Sequence, residues 1–182
     1  MTDAVAPRRR VLCLCGSLRR VSANRAALEA ARELAPRSLR LDLYGNARSL
    51  PLFDPDVEAG PLPQAVRELR EAVGHADALL IACPEYAHGI PGAFKNLLDW
   101  LVGALEFPGK PVLLLNTSAR GSQHAQDALM EVLKTMSARL LSADPLSVRL
   151  PGSGCNVDAV LGSDDRRCEI EVALGVLAAG LA

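Results

Sequence analysis

The sequence predicts an α/β domain in which a parallel β-sheet is covered by helices on both faces. Two observations carry that prediction. Short apolar runs alternate with helix-period segments about five times along the chain. Several of those runs, ALLIAC and VLLL above all, lack the polar alternation of a one-sided sheet and suit strands buried on both faces. Right-handed crossovers between such strands give an open doubly wound fold. Ligands of that fold bind beyond the carboxyl ends of the strands, where the strand order switches.

Each element follows in order. RRVLCLC (9–15) is a strand, and NRAALEAARELA (24–35) has helical spacing with no glycine or proline. LRLDLY (39–44) alternates as a half-buried strand does. The Pro/Gly-rich stretch GNARSLPLFDPDVEAGPLP (45–63) is a surface excursion that shapes the site or a subunit contact. LPQAVRELREAVGHA (62–76) is helical, with Val66, Leu69 and Val73 on one face. DALLIAC (77–83) is a strand, PGAFKNLLDWLVGAL (91–105) a helix, and KPVLLLN (110–116) a strand. SQHAQDALMEVLKTMSA (122–138) is helical, PLSVRL (145–150) is the last strand, and DDRRCEIEVALGVLAAG (164–180) the closing helix. Residues 1–9 are expected to form a mobile tail, and 10–182 a single domain.

Composition narrows the classes. The 182 residues are 49% hydrophobic but only 3% aromatic, so the core is built from Ala, Leu and Val. A net charge of -1 gives no electrostatic reason to expect nucleic acid or an anionic membrane as partner. No apolar stretch is long enough to span a bilayer, and the start lacks a secretory pattern. The cysteines Cys13, Cys15, Cys83, Cys155 and Cys168 are odd in number and lack zinc spacing. Free thiols in a reducing cytoplasm are therefore expected.

Three loops should carry the chemistry. GSLRRVSAN follows the first strand. Gly16 permits a tight turn, and Ser22 and Asn24 are helix N-cap types. Ser17, Ser22 and Asn24 offer donors, and Arg19 and Arg20 offer positive charge, at the positive end of a helix. That set suits a phosphate monoester, or equally an ordinary serine cap. The patterns GxxxxGK[ST] and GxGxxG are both absent, which excludes a nucleoside-triphosphate P-loop and the dinucleotide fingerprint.

PEYAHGIPGAFKNLLDW (84–100) is the second loop with its helix. Together, GSLRxxSxN after the first strand and PEYxxGxPxxxKNxxDW after the third resemble the NADPH-dependent FMN reductase family of quinone, azo and chromate reductases. The resemblance spans roughly residues 10 to 180. Ala87 stands where the family usually has Asn, and Phe94 where it has Leu. The resemblance implies a flavodoxin-like three-layer sandwich with a five-stranded parallel sheet of order 2-1-3-4-5. It implies FMN and NADPH (or NADH) as cofactors, with two electrons passing through flavin N5 to a small-molecule acceptor. Quinones, azo compounds, chromate, ferric complexes and free flavin all suit that role.

The resemblance assigns the phosphate to Ser17, Arg19, Ser22 and Asn24, and the ring to Pro84, Glu85, Tyr86, His88 and Gly89. The third loop, TSARGSQH (117–124), adds Thr117, Ser118, Arg120 and Gly121, with Gly121-Ser122 where the family often has paired glycines. Arg120 is open between a 2′-phosphate contact and simple solvation, and His88 between proton transfer and loop packing. No side chain is needed as a nucleophile. Lys95 and Asp99 suit an i,i+4 pair, Asn96 a tie between loop and helix, and Trp100 the core or an interface. The family implies a homodimer or homotetramer, with 45–63 and 91–105 as candidate contacts.

Two rivals stand beside this reading. One is an FMN-binding electron carrier or redox sensor without NAD(P)H turnover. The other starts from Cys13 and Arg19, which have the Cys-x5-Arg spacing of low-molecular-weight tyrosine phosphatases and arsenate reductases, with Asp144-Pro145 resembling their general-acid loop. Arg20 stands where those enzymes have Ser or Thr, and Cys13 falls inside an apolar strand.

Overall fold

The computed structural model describes residues 8–152 and 154–182. Of the tail expected over 1–9, residues 1–7 lie outside the described residues, and Arg9 is already paired with Leu39. The strands are β1 (Arg9–Cys15), β2 (Leu39–Leu43), β3 (Ala78–Ala82), β4 (Pro111–Ser118), β5 (Arg139–Leu140) and β6 (Leu146–Leu150). The helices are α1 (Ala23–Glu33), α2 (Pro55–Glu58), α3 (Gln64–Gly74), α4 (Gly92–Val102), α5 (Gln123–Thr135), α6 (Val157–Leu161) and α7 (Asp164–Ala179). Strand order is β2-β1-β3-β4-β5, every pair is parallel, and β6 also pairs with β4.

The five-position order is the expected one, with a sixth strand added to it. The extra strand is β5, two residues just beyond the segment expected to be helical. It pairs with the start of β4 at Pro111 and Val112, while β6 pairs with the end of β4 from Leu115 to Ser118. Two short strands thus share the sheet position that the sequence gives to one. The excursion also holds short helical pieces, the 3-10 turn Ala47–Ser49 and α2.

The continuous apolar runs have their explanation in two cores. Val11 and Cys13 of β1, with Leu80 and Leu113, pack against α1 and α7. Leu12 and Leu14, with Leu79, Ile81 and Leu114, pack against α3, α4 and α5. Successive strand residues point to opposite faces, so a strand covered on both sides must be apolar at every position. All five residues of β3 are buried. No helix among the described residues is long and apolar enough to cross a membrane.

The excursion is fastened rather than loose. Asn96 Oδ1 accepts from the Phe53 N–H at 2.7 Å, and Asn96 Nδ2 donates to the Pro51 carbonyl at 2.9 Å. Trp100 Nε1 donates to the same carbonyl at 2.8 Å, and its fully buried ring meets the Phe53 ring edge-on at 5.0 Å. Asn96 thus ties loop to helix, Trp100 is core, and Lys95 pairs with Asp99, as the spacing suggests.

Candidate active site

The loops after β1, β3 and β4 meet at the carboxyl end of the sheet and enclose an open cavity of about 510 Å³. That size falls within the range of small-molecule sites. Among its lining residues are Ser17, Arg19, Ser22, Asn24, Pro84, Glu85, Tyr86, Thr117, Ser118 and Arg120. His88, Gly89 and Gly121 do not line it. Leu150, Pro151 and Gly152 do, and these were not expected. The Pro-Gly turn after the last strand was the available signal for them.

Close strand approach sets the floor. The Gly16 N–H donates to the Ala82 carbonyl at 2.8 Å. A Cβ on Gly16 would lie 2.6 Å from Cys83 Sγ and 3.0 Å from its Cα. Only glycine fits between the ends of β1 and β3.

The first loop gathers hydrogen-bond donors at the start of α1. Ser22 caps α1, its Oγ accepting from the Arg25 N–H at 3.4 Å. The N–H groups of Ala23 and Asn24, the first two residues of the helix, have no carbonyl partner within it. Both residues line the cavity. The first turn of α1 carries no acidic residue, so the positive end of its dipole is left for an outside anion. Ser17, Ser22, Asn24 and Thr117 are buried, and the Thr117 hydroxyl donates to Asn24 Oδ1 at 3.0 Å. Ser17 Oγ accepts from the Arg19 N–H at 3.3 Å, which leaves the exposed Arg19 side chain at the rim. A phosphate monoester needs converging N–H and O–H donors with positive potential, and these residues supply both.

The second loop is a tight hairpin. Tyr86 and Gly89 exchange two backbone hydrogen bonds of 3.0 Å. Ala87 and His88 between them have φ of 49° and 60°. This is the geometry of a primed turn, which asparagine and glycine tolerate and alanine does not. Ala87→Asn is expected to stabilise the protein by about 1 kcal/mol, raising Tm by roughly 2–4 °C in a calorimetric scan. An unchanged Tm would mean that the turn is unstrained. The His88 ring packs on His124 at 4.4 Å, outside the cavity lining, which fits the loop-packing role. Glu85 is committed inward, its Oε2 accepting from the Ala125 N–H in the first turn of α5 at 3.0 Å.

The third loop is held by Asn116. Its Nδ2 donates to the Gly121 carbonyl and its Oδ1 accepts from the Ser118 N–H. Gly121 has φ of 103° and Ser122 of 53°, so the reversal into α5 uses left-handed backbone at both.

Cys13 is unsuited to nucleophilic work. It is 1% exposed in β1, and burial pushes its thiol up to about 12. Cys83 is likewise pushed up to about 12, chiefly by burial. The phosphatase rival loses its thiolate, and Asp144 is not among the cavity residues. In the folded protein at pH 8, iodoacetamide is expected to alkylate the exposed Cys168 and to spare Cys13 and Cys83. Peptide mapping that found Cys13 modified at the same rate would overturn this ordering.

Residues 9–149 match the profile of the NADPH-dependent FMN reductase family. An NAD(P)H-dependent FMN reductase of Pseudomonas aeruginosa is 34% identical over 172 residues, 92% of each chain. A quinone reductase of Escherichia coli K12 is 33% identical over 137 residues, covering 72% of this chain and 73% of that one. The solved structure of the flavoenzyme NAD(P)H:(acceptor) oxidoreductase FerB from Paracoccus denitrificans superposes with a TM-score of 0.73 at 25% identity. It covers 93% of this chain and 97% of its own.

Proposed function

Because the chain belongs to the NADPH-dependent FMN reductase family, we propose that it draws two electrons from NADPH or NADH through bound FMN and delivers them to a quinone. The observation that carries this reading is the cradle at the start of α1. Its free N–H groups and buried hydroxyls open into a cavity whose one cysteine, Cys83, has its thiol pushed up to about 12, chiefly by burial. When bound, the flavin supplies the redox chemistry.

The chain's residues do the positioning. Ser17, Arg19, Ser22, Asn24 and the Ala23 N–H hold the phosphate. Pro84, Glu85 and Tyr86 on one side, and Thr117, Ser118 and Arg120 on the other, border the ring. His88, Gly89 and Gly121 shape the turns behind them. Tyr86, half exposed, is the side chain that meets whatever lies on the open face. A quinone acceptor is supported by the quinone reductase among the relatives. A cytoplasmic setting agrees with the free cysteines. Assembly as a homodimer or homotetramer agrees with the exposed Leu52, Val102 and Leu105 of the two candidate contact segments.

The test is an absorption spectrum of the FMN-loaded protein without air. NADPH is expected to bleach the flavin bands, and benzoquinone to restore them. Bands that persist with NADPH would favour the carrier or sensor. No retained FMN would sink the cofactor assignment.

A further inference from the structure

A second cavity, of about 360 Å³, adjoins the first and shares Arg19 and Tyr86 with it. Leu18, Arg48, Pro91 and Ala93 are also among its lining residues. We propose that this cavity receives a phosphate group of NAD(P)H and that Arg48 grips it. The inference rests on the flavin occupying the first cavity.

Arg48 is held in place from both ends. Its backbone lies in the 3-10 turn of the excursion, which Asn96 and Trp100 fasten to α4. Its guanidinium donates to the Leu18 carbonyl, in the loop that cradles the flavin phosphate. That contact uses one end of the fork and leaves the other donors free.

The charge is also unanswered. Arg25 and Arg70 each pair with a glutamate. Neither Arg19 nor Arg48 has a carboxylate within ion-pair distance among the described residues. Gly92 and Ala93, the first residues of α4, face the same cavity, with no acidic residue in that turn and no side-chain cap. With Arg19 given to the flavin phosphate, the Arg48 guanidinium is left without an anion beside a wall of Leu18, Tyr86, Pro91 and Ala93. A planar ring joined to phosphate matches both parts, its flat face on the wall and its phosphate on the guanidinium. An uncharged quinone would use only the wall.

The test is steady-state kinetics on the FMN-loaded enzyme with benzoquinone. Arg48→Ala is expected to raise KM for the nucleotide about tenfold, as loss of a charge-assisted hydrogen bond does. Arg48→Lys should recover part of that loss. Arg48→Gln keeps an amide donor near Leu18 without the charge, and should behave as Arg48→Ala does. A rise with both NADPH and NADH assigns the shared diphosphate, and a rise with NADPH alone assigns the 2′-phosphate. The proposal is overturned if KM for both nucleotides stays at the wild-type value, if only the quinone KM rises, or if the variants simply lose FMN. Should the wild-type enzyme oxidise neither nucleotide, the proposed function fails. Titrating NADP⁺ into the wild type and Arg48→Ala then still reads the subsite, and equal affinities would overturn it.

Discussion

Asn24→Asp should cost the protein its flavin while leaving its fold intact. The substitution is nearly isosteric, and the new carboxylate can still accept the Thr117 hydroxyl that Asn24 Oδ1 accepts at 3.0 Å. A negative charge in the first turn of α1 complements the helix dipole by about 0.3–1 kcal/mol, which offsets part of its burial. Toward a phosphate about 5 Å away the same charge is repulsive, by roughly 3 kcal/mol per unit charge at an effective dielectric near 20. FMN affinity should therefore fall by at least about a hundredfold. The apo protein should melt within a few degrees of the wild type. Flavin retained through a desalting column would place the phosphate somewhere other than α1. A lost fold would mean that Asn24 is structural first.

The second large effect is on stability. Trp100 is fully buried, donates to the Pro51 carbonyl and meets Phe53 edge-on. Trp100→Ala removes the largest side chain in its core and should cost about 3–5 kcal/mol. For a chain of this size that lowers Tm by roughly 10 °C or more. Trp100→Phe keeps most of the volume and loses only the indole N–H, so it should cost about a third as much. If the two variants melted alike, the hydrogen bond to Pro51 rather than the packing would be the main contribution.

What the sequence revealed depended on how local each signal was. β3 and β4 were legible because burial on both faces forces unbroken apolar runs. The serine cap of α1 was legible because capping is decided within four residues, from Ser22 to Arg25. β5 was not, because two residues paired only to the start of β4 leave no periodicity. The fastening of the excursion was half visible. Asn96 and Trp100 stood out, but their partner is a backbone carbonyl more than 40 residues away, and a carbonyl has no sequence signature. Pro151 and Gly152 reach the cavity only because β6 ends beside β4, a fact of sheet order. The strain at Ala87 was signalled by the missing asparagine, though only the φ of 49° shows what the asparagine would be for.

Glu85 has a consequence for which way round a cofactor can lie. Two long helices, α1 and α5, begin at the rim of the same cavity, and each could in principle attract a phosphate. The Glu85 carboxylate already occupies the start of α5, while α1 begins with no internal anion. A molecule with a phosphate at one end and a neutral ring at the other therefore meets an asymmetric cleft. Its phosphate is repelled from α5 and drawn to α1, so the ring must point toward Tyr86. One half-buried carboxylate thus imposes a polarity on the cleft, and Glu85→Gln would leave it with two competing ends.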